Sequence, residues 1–592
     1  MLSFDFLVVT FLFVAVVVVL AATRLRPIAV FAMVAFVLYA SGVLSLDGLS
    51  HNYVNPSLLT LIGLVLLSVV LEKISFVSDL SRRSVTQNDG ASGSVSRGVF
   101  RLGLVAGVIS SFLNNTAVVA TLMGGLRRQP HLPVSRYLLP LSYASIAGGM
   151  MTLVGTSTNL IVNSFVEEAG ETPLGFFDFT LIGAPVFLAT LVVISLLSHR
   201  FLSDRQVATD AQERREYLFE QTVMPGSQLI GKTIQDNGLR QLENMFLVEV
   251  VREQSSKTYA PVAPDLIINA GDVLVFSGDP AYEHIFQQFD GLVALGGDKH
   301  SHGDGAPLAE VIISPTSSMI GYSLKACEFR SRFDAAVIAI RRGSRNIRGK
   351  LGDHVLQAGD CLLLTTGPKF GNKGAESSNR RDFITVSGIE RRQPLSTYAS
   401  GMVMGGFVLA IGLSVAGVIP LLKGVLLLLG ACLAFSLVTI EELKGRFPFE
   451  LIVVIGGALG LSQAMFQVGL AEMLAGAVNF AVGGMGPFAA LIAVYVVTWL
   501  VTELVTNNAA AALMFPIAYA TAEALGVSPY PFFMALAFGA SASFMSPYGY
   551  QTNLMVYSAG NYQLSDYLKA GFPLLLVYSV VALSLIPIVF PF

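Results

Sequence analysis

The sequence predicts a polytopic α-helical membrane protein made of two repeated halves around a polar α+β insert. Hydrophobic residues make up 53% of the 592 residues and charged residues only 13%, whereas soluble domains carry about 25% charged residues. Long apolar stretches lie on both sides of a charged central region. Short polar motifs in the first apolar part recur in the same order in the second.

The apolar stretches have the length of membrane spans. A helix needs about 20 apolar residues to cross a hydrocarbon core of roughly 30 Å. The first stretch follows no basic residue and exceeds the core of a signal peptide, so we interpret it as an uncleaved span. We expect about ten spans, at residues 4–22, 27–45, 55–72, 137–168, 174–198, 397–418, 420–439, 449–469, 530–560 and 571–591.

The composition argues against several classes of protein. Three cysteines, Cys327, Cys361 and Cys432, at unrelated spacings form neither a disulfide framework nor a cysteine-rich metal site. The net charge of −3 gives no indication of a nucleic-acid partner. The histidines lie in polar segments and no HExxH motif is present. We therefore expect neither an enzyme nor a resident cofactor.

Two further apolar regions, residues 99–126 and 487–524, are interrupted by the pairs Asn114-Asn115 and Asn507-Asn508. A buried amide without hydrogen bonds is costly, so each pair needs a reason. Basic residues flank both ends of the first region, whereas residues 447–568 contain no Lys or Arg. The positive-inside rule therefore predicts a re-entrant hairpin from the cytoplasmic side and a second from outside. The alternative is two ordinary pairs of spans.

Three motifs repeat between the halves at nearly constant spacing. Three matches in the same order indicate an internal repeat. With opposite orientations, the repeat predicts an inverted-repeat transporter, whose substrate site lies between broken helices near the membrane midplane. The alignment leaves Thr116 opposite Ala509, so the halves differ chemically. The matches pair NNTA at 114–117 with NNAA at 507–510, MTLVGTSTNL at 151–160 with MSPYGYQTNL at 545–554, and LIGAP at 181–185 with KAGFP at 569–573.

The second of these motifs is expected to break a helix in each half. Free N–H groups at a new helix N-terminus attract anions, and free carbonyls with Asn, Ser and Thr oxygens suit a small hard cation such as sodium. Each half thus offers one cation site, with an anion held between them. We expect no Arg or Lys in the site, so bound cations would neutralise a divalent anion. The alternative is that these polar side chains only hold helices together.

Glu503 lies four residues before Asn507, and on a continuous helix the two side chains would share a face. A carboxylate within the membrane is a candidate for proton or cation coupling. A structural carboxylate bonded to the hairpin backbone is the alternative.

The Asn pairs at 114–115 and 507–508 lie at the tips of the two predicted hairpins. These tips and the two helix breaks resemble those of the divalent anion/sodium symporter (DASS) family of the ion transporter superfamily, over residues 1–203 and 394–592. Members carry Ser-Asn-Thr at each tip, where this sequence has Asn-Asn-Thr and Asn-Asn-Ala. The resemblance implies sodium ligands at Asn114, Asn115, Gly155, Asn159, Asn507, Asn508, Gly549 and Asn553. It implies substrate contacts at Asn115, Thr116, Thr156, Ser157, Thr158, Thr506, Asn508, Ser546, Pro547, Gln551 and Thr552.

The implied function is sodium-coupled symport of a small divalent anion by alternating access, in a multi-pass protein of the cell (inner) membrane. Sulfate is favoured because the inserted domains and the Asn-for-Ser exchange are similar to sulfate-type members; dicarboxylates and organic sulfonates stay open. One alternative is a cation/proton antiporter or metalloid efflux permease of the same superfamily, which Glu503 would suit. Another is a membrane sensor that signals through the insert.

The insert carries its own repeat. PGSQLIGKTI at 225–234 matches PTSSMIGYSL at 315–324, and AGDVLV at 270–275 matches AGDCLL at 358–363. The pattern is similar to two TrkA C-terminal-type (RCK C) domains, which we place at residues 204–293 and 294–393 on the cytoplasmic side. The resemblance implies domains that pair with one another, a homodimer and a nucleotide ligand. A scaffold that only holds the dimer together is the alternative.

Overall fold

The computed structural model shows helices in both apolar parts and two β-sheets in the insert. The predicted boundaries at residues 203/204 and 393/394 lie outside the described residues. The described residues are 3–23, 25–74, 95–127, 133–202, 218–239, 242, 245–252, 257–278, 280–294, 308–314, 317–347, 351–367, 370, 382–387 and 395–592.

The first apolar part is helical. Side-chain caps set several of the helix starts: Ser3 accepts from the Phe6 N–H, and Asn55 Oδ1 accepts from the Leu58 N–H at 2.7 Å. Its helices are α1 (Phe4–Ala22), α2 (Pro27–Ala40), α3 (Leu46–Tyr53), α4 (Pro56–Leu71), α5 (Val95–Ser110), α6 (Asn115–Arg127), α7 (Leu138–Gly149), α8 (Ser157–Glu168) and α9 (Thr180–Phe201).

The last apolar part is also helical, and a short helix, α10 (Phe329–Phe333), lies in the insert. The helices of the last part are α11 (Thr397–Val415), α12 (Leu421–Ala434), α13 (Ile440–Gly445), α14 (Phe449–Gln467), α15 (Leu470–Ala481), α16 (Pro487–Leu504), α17 (Asn507–Leu525), α18 (Tyr530–Ser541), α19 (Gln551–Ala559) and α20 (Leu564–Val589).

Seven helical stretches among the described residues are long and apolar enough to cross a membrane. They confirm a polytopic α-helical membrane protein. The seven are Phe4–Ala22, Leu46–Leu71 (α3 and α4 taken together), Thr180–Phe201, Thr397–Val415, Phe449–Gln467, Pro487–Leu504 and Leu564–Val589.

The interrupted regions each fold as two helices joined by a short turn. Helices α5 and α6 have 16 and 13 residues, so each is roughly 20–24 Å long and shorter than the hydrocarbon core. Helices α16 and α17 have 18 and 19 residues and come close to a full crossing. The first region therefore has the dimensions of a hairpin, whereas the lengths in the second suit either reading.

Three helices were missed by the sequence criterion: α3, α13 and α15. Each is far shorter than a span, with 8, 6 and 12 residues. Helix α15 follows α14 directly and turns at Gly469, which has a positive φ of 77°. A search for about 20 apolar residues does not detect such elements.

The described residues of the insert form two five-stranded antiparallel sheets with the orders β3-β2-β4-β1-β5 and β10-β6-β9-β7-β8. Strand β5 crosses the predicted boundary at 293/294 because it pairs with β1. The strands are β1 (Leu218–Val223), β2 (Met245–Arg252), β3 (Lys257–Tyr259), β4 (Asp272–Gly278), β5 (Leu292–Ala294), β6 (Leu308–Ile313), β7 (Ala335–Arg342), β8 (Arg345–Ile347), β9 (Cys361–Thr366) and β10 (Phe383–Ser387).

Each sheet domain has an ion pair at the corresponding turn, between a partly buried arginine and a fully buried aspartate. Arg252 makes two hydrogen bonds of 2.8 Å to Asp272, and Arg342 binds Asp360 at 2.6 and 2.8 Å. These side-chain hydrogen bonds raise the pKa of both guanidinium groups above the ordinary arginine value. Each pair involves the aspartate of the repeated Ala-Gly-Asp motif, directly before β4 or β9.

The two sheets pack against each other within one chain. Val248, Val273 and Val275 of the first sheet form an apolar cluster with Ile338 and Leu363 of the second. The Ser277 hydroxyl donates to the Ile338 carbonyl at 2.6 Å across this contact. The faces of β2, β4, β7 and β9 that meet here are therefore covered inside the monomer.

Candidate functional site

Each asparagine pair lies at a turn where a new helix begins. Asn115 is the first residue of α6, and Ser110 Oγ donates to its Oδ1. Asn507 is the first residue of α17, and Thr502 Oγ1 donates to its Oδ1 at 3.0 Å. In both cases the hydroxyl lies five residues before the amide.

These hydrogen bonds correct the pairing read from the sequence by one residue. Asn115 corresponds to Asn507, so the position of Thr116 matches Asn508 rather than Ala509. The capping residues agree: Asn114 Oδ1 accepts from the Thr116 N–H, and Thr506 Oγ1 accepts from the Ala509 N–H. Both halves therefore present a polar side chain, Thr116 or Asn508, just inside the new helix.

The predicted helix breaks separate α7 from α8 and α18 from α19. Asn159 Nδ2 donates to the Thr152 carbonyl at 2.9 Å. Asn553 Nδ2 donates to the Ser543 and Ser546 carbonyls at 2.8 and 3.2 Å. Both amides are 0% exposed, so they stabilise the non-helical backbone of the breaks by buried hydrogen bonds.

The tips and breaks surround one cavity of about 620 Å³. Four helices begin at its wall, α6, α8, α17 and α19, with Asn115, Ser157, Asn507 and Gln551 as their first residues. Each N-terminus presents free N–H groups and the positive end of a helix dipole. The convergence gives the cavity a field that attracts an anion, with no lysine or arginine among the tip and break residues.

Tips and breaks meet across the two halves. Asn115 Nδ2 donates to the Tyr550 hydroxyl at 2.7 Å, and Thr116 Oγ1 donates to Gln551 Oε1 at 3.3 Å. In the reciprocal contact, the Ser157 hydroxyl donates to Asn508 Oδ1 at 3.0 Å. Each wall of the cavity is thus made of one half's tip and the other half's break.

Most of the predicted site residues line this cavity, but six do not: Glu503, which is described below, and five residues of the breaks. Asn159, Asn553 and Thr552 are buried behind the breaks, and Ser546 and Pro547 also lie off the wall. Thr552 accepts from the Ser142 hydroxyl at 2.9 Å instead. The predicted residues on the wall are Asn114, Asn115, Thr116, Gly155, Thr156, Ser157, Thr158, Thr506, Asn507, Asn508, Gly549 and Gln551.

Glycine is required at each break because the backbone is tightly enclosed. A Cβ on Gly155 would clash with the Gly149 carbonyl oxygen, and one on Gly149 would lie 2.7 Å from Asn115 Oδ1. A Cβ on Gly549 would clash with Ser543 Oγ and lie 3.5 Å from Glu503 Oε2. The Gly149 carbonyl and the Asn115 amide oxygen thus lie around the first break, and the Ser543 and Glu503 oxygens lie around the second. Such oxygen clusters suit a hard cation.

Glu503 does not share a helix face with Asn507, contrary to the sequence expectation. Helix α16 ends at Leu504 and Thr506 caps a new helix, so the two residues belong to different helices. Instead, Glu503 Oε1 accepts from the Met545 N–H at 3.4 Å, beside the break. Its Oε2 and the Ser543 Oγ are buried without a hydrogen-bond partner among the described residues.

The cavity wall carries arginine, contrary to the expectation of a site without Arg or Lys. Arg26 and Arg446 line its wall, together with Glu450. Arg446 also binds Glu72 at 3.2 Å. Arg26 directly precedes α2 and Arg446 directly follows α13, so both lie at helix termini outside the broken segments.

Sequence reasoning missed Tyr550, which contacts both Asn115 and the Thr156 hydroxyl, the latter at 3.2 Å. Its place in the break motif was a usable signal, since it corresponds to Thr156 in the repeat. It also missed Ser543, which no motif marked.

The chain matches the citrate transporter family (CitMHS) over residues 15–527. The chain belongs to this family. Membership makes it a multi-pass membrane transport protein, and it places the chain among transporters rather than enzymes.

The chain is also similar to individual proteins, two of which are named as transporters. A proposed sulfur deprivation response regulator of Chlamydomonas reinhardtii is 33% identical over 82% of this chain and 86% of its own length. An uncharacterized transporter of Synechocystis is 29% identical over 94% of this chain and 93% of its own. Sodium/sulfate cotransporter 1 of Chlamydomonas reinhardtii is 29% identical over 62% of this chain and 43% of its own length.

Proposed function

We propose that the protein is a secondary active transporter that carries a small divalent anion together with sodium, with sulfate as the favoured substrate. The observation that carries this proposal is the convergence of four helix N-termini on one polar cavity. A tetrahedral or planar dianion accepts hydrogen bonds from many directions, which the N–H groups, hydroxyls and amides of the wall supply.

Sodium sites are proposed at the two oxygen clusters. The first lies near Gly155, with Asn114, Asn115 and the Gly149 carbonyl. The second lies near Gly549, with Asn507, Asn508, Ser543 and Glu503. Asn159 and Asn553 would act indirectly, by holding the break that presents carbonyl oxygens. Glu503 gives the second cluster a negative charge that the first lacks, so it is proposed to couple a cation or a proton.

The anion is proposed to lie between these clusters, against Thr116, Thr156, Ser157, Thr158, Thr506, Asn508 and Gln551. Ser546, Pro547 and Thr552 would shape the break behind it. Arg26 and Arg446 bring positive charge to a wall that also carries Glu450, and Arg446 is paired with Glu72, so we propose only a weak electrostatic attraction of the anion by these two residues. Sulfate is preferred because relatives of this chain are named sodium/sulfate cotransporters. Dicarboxylates remain the second choice, in line with the family's name.

Alternating access between inverted repeats is the proposed mechanism. It is supported by the matched hydrogen bonds at Asn115 and Asn507 and by the short helices of the first hairpin. The insert is proposed to be cytoplasmic and TrkA-like. A homodimer in the cell membrane and a nucleotide ligand follow only from the resemblance.

The test is uptake of labelled sulfate into proteoliposomes with an inward sodium gradient or with potassium in its place. We expect sodium to accelerate uptake, and unlabelled dicarboxylate to compete less well than sulfate. Stronger competition by dicarboxylate would change the substrate but keep the mechanism. Sulfate uptake at the same rate with and without sodium, or sodium/proton exchange without an anion, would favour the antiporter or efflux alternative that Glu503 suits.

A further inference from the structure

Helix α19 packs tightly between two turns of the second sheet domain, a contact that we call the grip. The turns are the β7–β8 hairpin around Gly343 and the turn at Gly359 that precedes β9. Ser558 of α19 lies between them and is 0% exposed. Its hydroxyl accepts from the Gly343 N–H at 3.3 Å and donates to the Gly359 carbonyl at 2.5 Å.

The contact is close enough to require glycine in both turns. A Cβ on Gly343 would lie 2.6 Å from the Tyr557 ring, and one on Gly359 would lie 2.5 Å from Leu554 Cδ1. Arg342 and Asp360 bind each other through two hydrogen bonds and join the turns into one unit. The two turns that contact α19 are therefore held together by an ion pair.

The first sheet domain provides an internal comparison. It has the same Arg-Asp pair and the same turn, with Gly271 at a φ of 81° against 83° for Gly359. Yet no atom of the described residues lies within 4 Å of a Cβ added to Gly271. The turn is therefore built alike in both domains, and the grip on a membrane helix belongs to the second.

Helix α19 is also part of the cavity wall. Its first residue Gln551 binds Thr116, and Leu554, which touches Gly359, lines the cavity. The same sheet domain reaches the cavity at a second point, where the Arg26 guanidinium donates to the Ser317 carbonyl. Strand β10 packs beside α6, the helix that begins at Asn115.

We infer that the second sheet domain is a positioning element of the transport site, which holds α19 so that the cavity stays open toward the insert. Ser558 and Gly359 act through α19 and touch neither anion nor sodium. Loosening the grip lets α19 move and shifts the protein toward the conformation closed on the insert side. The inference rests on the proposed function for its meaning in transport, but its test does not require transport.

The test measures access to the cavity by thiol labelling. Val154 lines the cavity and belongs to neither proposed ligand set, so a Val154→Cys probe reports opening. Cys327 is replaced by Ser, and the other two cysteines are buried. A membrane-impermeant maleimide is added to inside-out vesicles without sulfate or sodium. We expect Ser558→Ala and Gly359→Ala to slow labelling about two- to tenfold, as loss of one or two hydrogen bonds or a steric wedge would.

Gly271→Ala is the matched control, because it imposes the same positive-φ strain without touching α19. It should label at the parental rate. Adding Leu554→Ala to Gly359→Ala removes the clash and should restore labelling. If Gly359→Ala fails to give a monodisperse protein, Ser558→Ala carries the test. Parental labelling in Ser558→Ala, or equal slowing in Gly271→Ala and Gly359→Ala, would overturn the inference. Absent sulfate uptake with slowed labelling would instead refute only the proposed function.

Discussion

Asn115 and Tyr550 join the two halves of the protein through a 2.7 Å hydrogen bond from the Asn115 amide to the Tyr550 hydroxyl. Asn115 starts a helix in the first half, and Tyr550 immediately precedes one in the second. The same hydroxyl lies 3.2 Å from Thr156 Oγ1 of the first break. One phenol thus connects the tip and break of the first half to the break of the second.

Tyr550→Phe should raise the half-saturating concentrations of anion and sodium for uptake without unfolding the protein. The ring stays, while the hydrogen bonds to Asn115 and Thr156 are lost. Net values of about 0.5–1.5 kcal/mol for each of the two bonds predict a rise of about five- to hundredfold in the half-saturating concentrations. Sulfate and sodium titrations of uptake in proteoliposomes measure this.

Tyr495→Phe is the control for that substitution. Its hydroxyl bonds Ser579 at 2.8 Å between α16 and α20, away from the cavity wall. Its half-saturating concentrations should match the parent. A Tyr550→Phe variant that behaves like Tyr495→Phe would show that the link between halves does not serve transport.

Asn508 and Asn159 should respond differently to alanine. Asn508 lines the cavity and accepts from Ser157, so Asn508→Ala should lower sodium-dependent uptake by about tenfold, or roughly 1.4 kcal/mol, with little change in melting temperature. Asn159 is buried and holds the Thr152 carbonyl, so Asn159→Ala should cost about 1–3 kcal/mol of stability.

Thermal unfolding in detergent and initial uptake rates, measured on the same preparations, separate these two effects. Full uptake by Asn508→Ala would remove this amide from the site. An unchanged melting temperature in Asn159→Ala would contradict its structural role and return it to the candidate ligands.

Glu503→Gln should change the sodium dependence more than the anion dependence. The amide keeps the shape and can still accept from the Met545 N–H, but it removes the negative charge beside Ser543 and Gly549. Because a full charge contributes more to cation binding than a dipole, we expect the half-saturating sodium concentration to rise about tenfold.

The comparison for this variant is Glu472→Gln, which removes an exposed carboxylate of α15. It should leave the sodium titration unchanged. If Glu503→Gln also leaves it unchanged, Glu503 is a structural carboxylate held against the break.

Sequence reasoning predicted the elements of the site better than their pairing. The Asn pairs and glycine breaks stood out because polar residues are rare in apolar segments and costly when buried. The position of each asparagine relative to the start of its helix could not be predicted in the same way. If a helix starts one residue earlier or later, the residue that corresponds to Thr116 in the other half changes from Asn508 to a neighbour. The hydrogen bonds of Ser110 and Thr502 establish which residues correspond.

The position of Glu503 shows the same limit. Its spacing from Asn507 implied a shared face, but Thr506 starts a new helix between them and redirects the carboxylate to the break. Likewise, Arg26 is distant in sequence from every motif, and the fold brings it to the cavity wall.

By itself, the sequence determined that this is a helical membrane protein with two similar apolar parts, polar interruptions at matched places and a two-part β insert. These follow from local composition and periodicity, which act over a few turns of chain. Only the tertiary structure decided that each tip faces the other half's break, that Asn159 and Asn553 lie behind the wall, and that the second sheet domain grips α19. Those contacts join residues hundreds of positions apart, and shape and close packing select them.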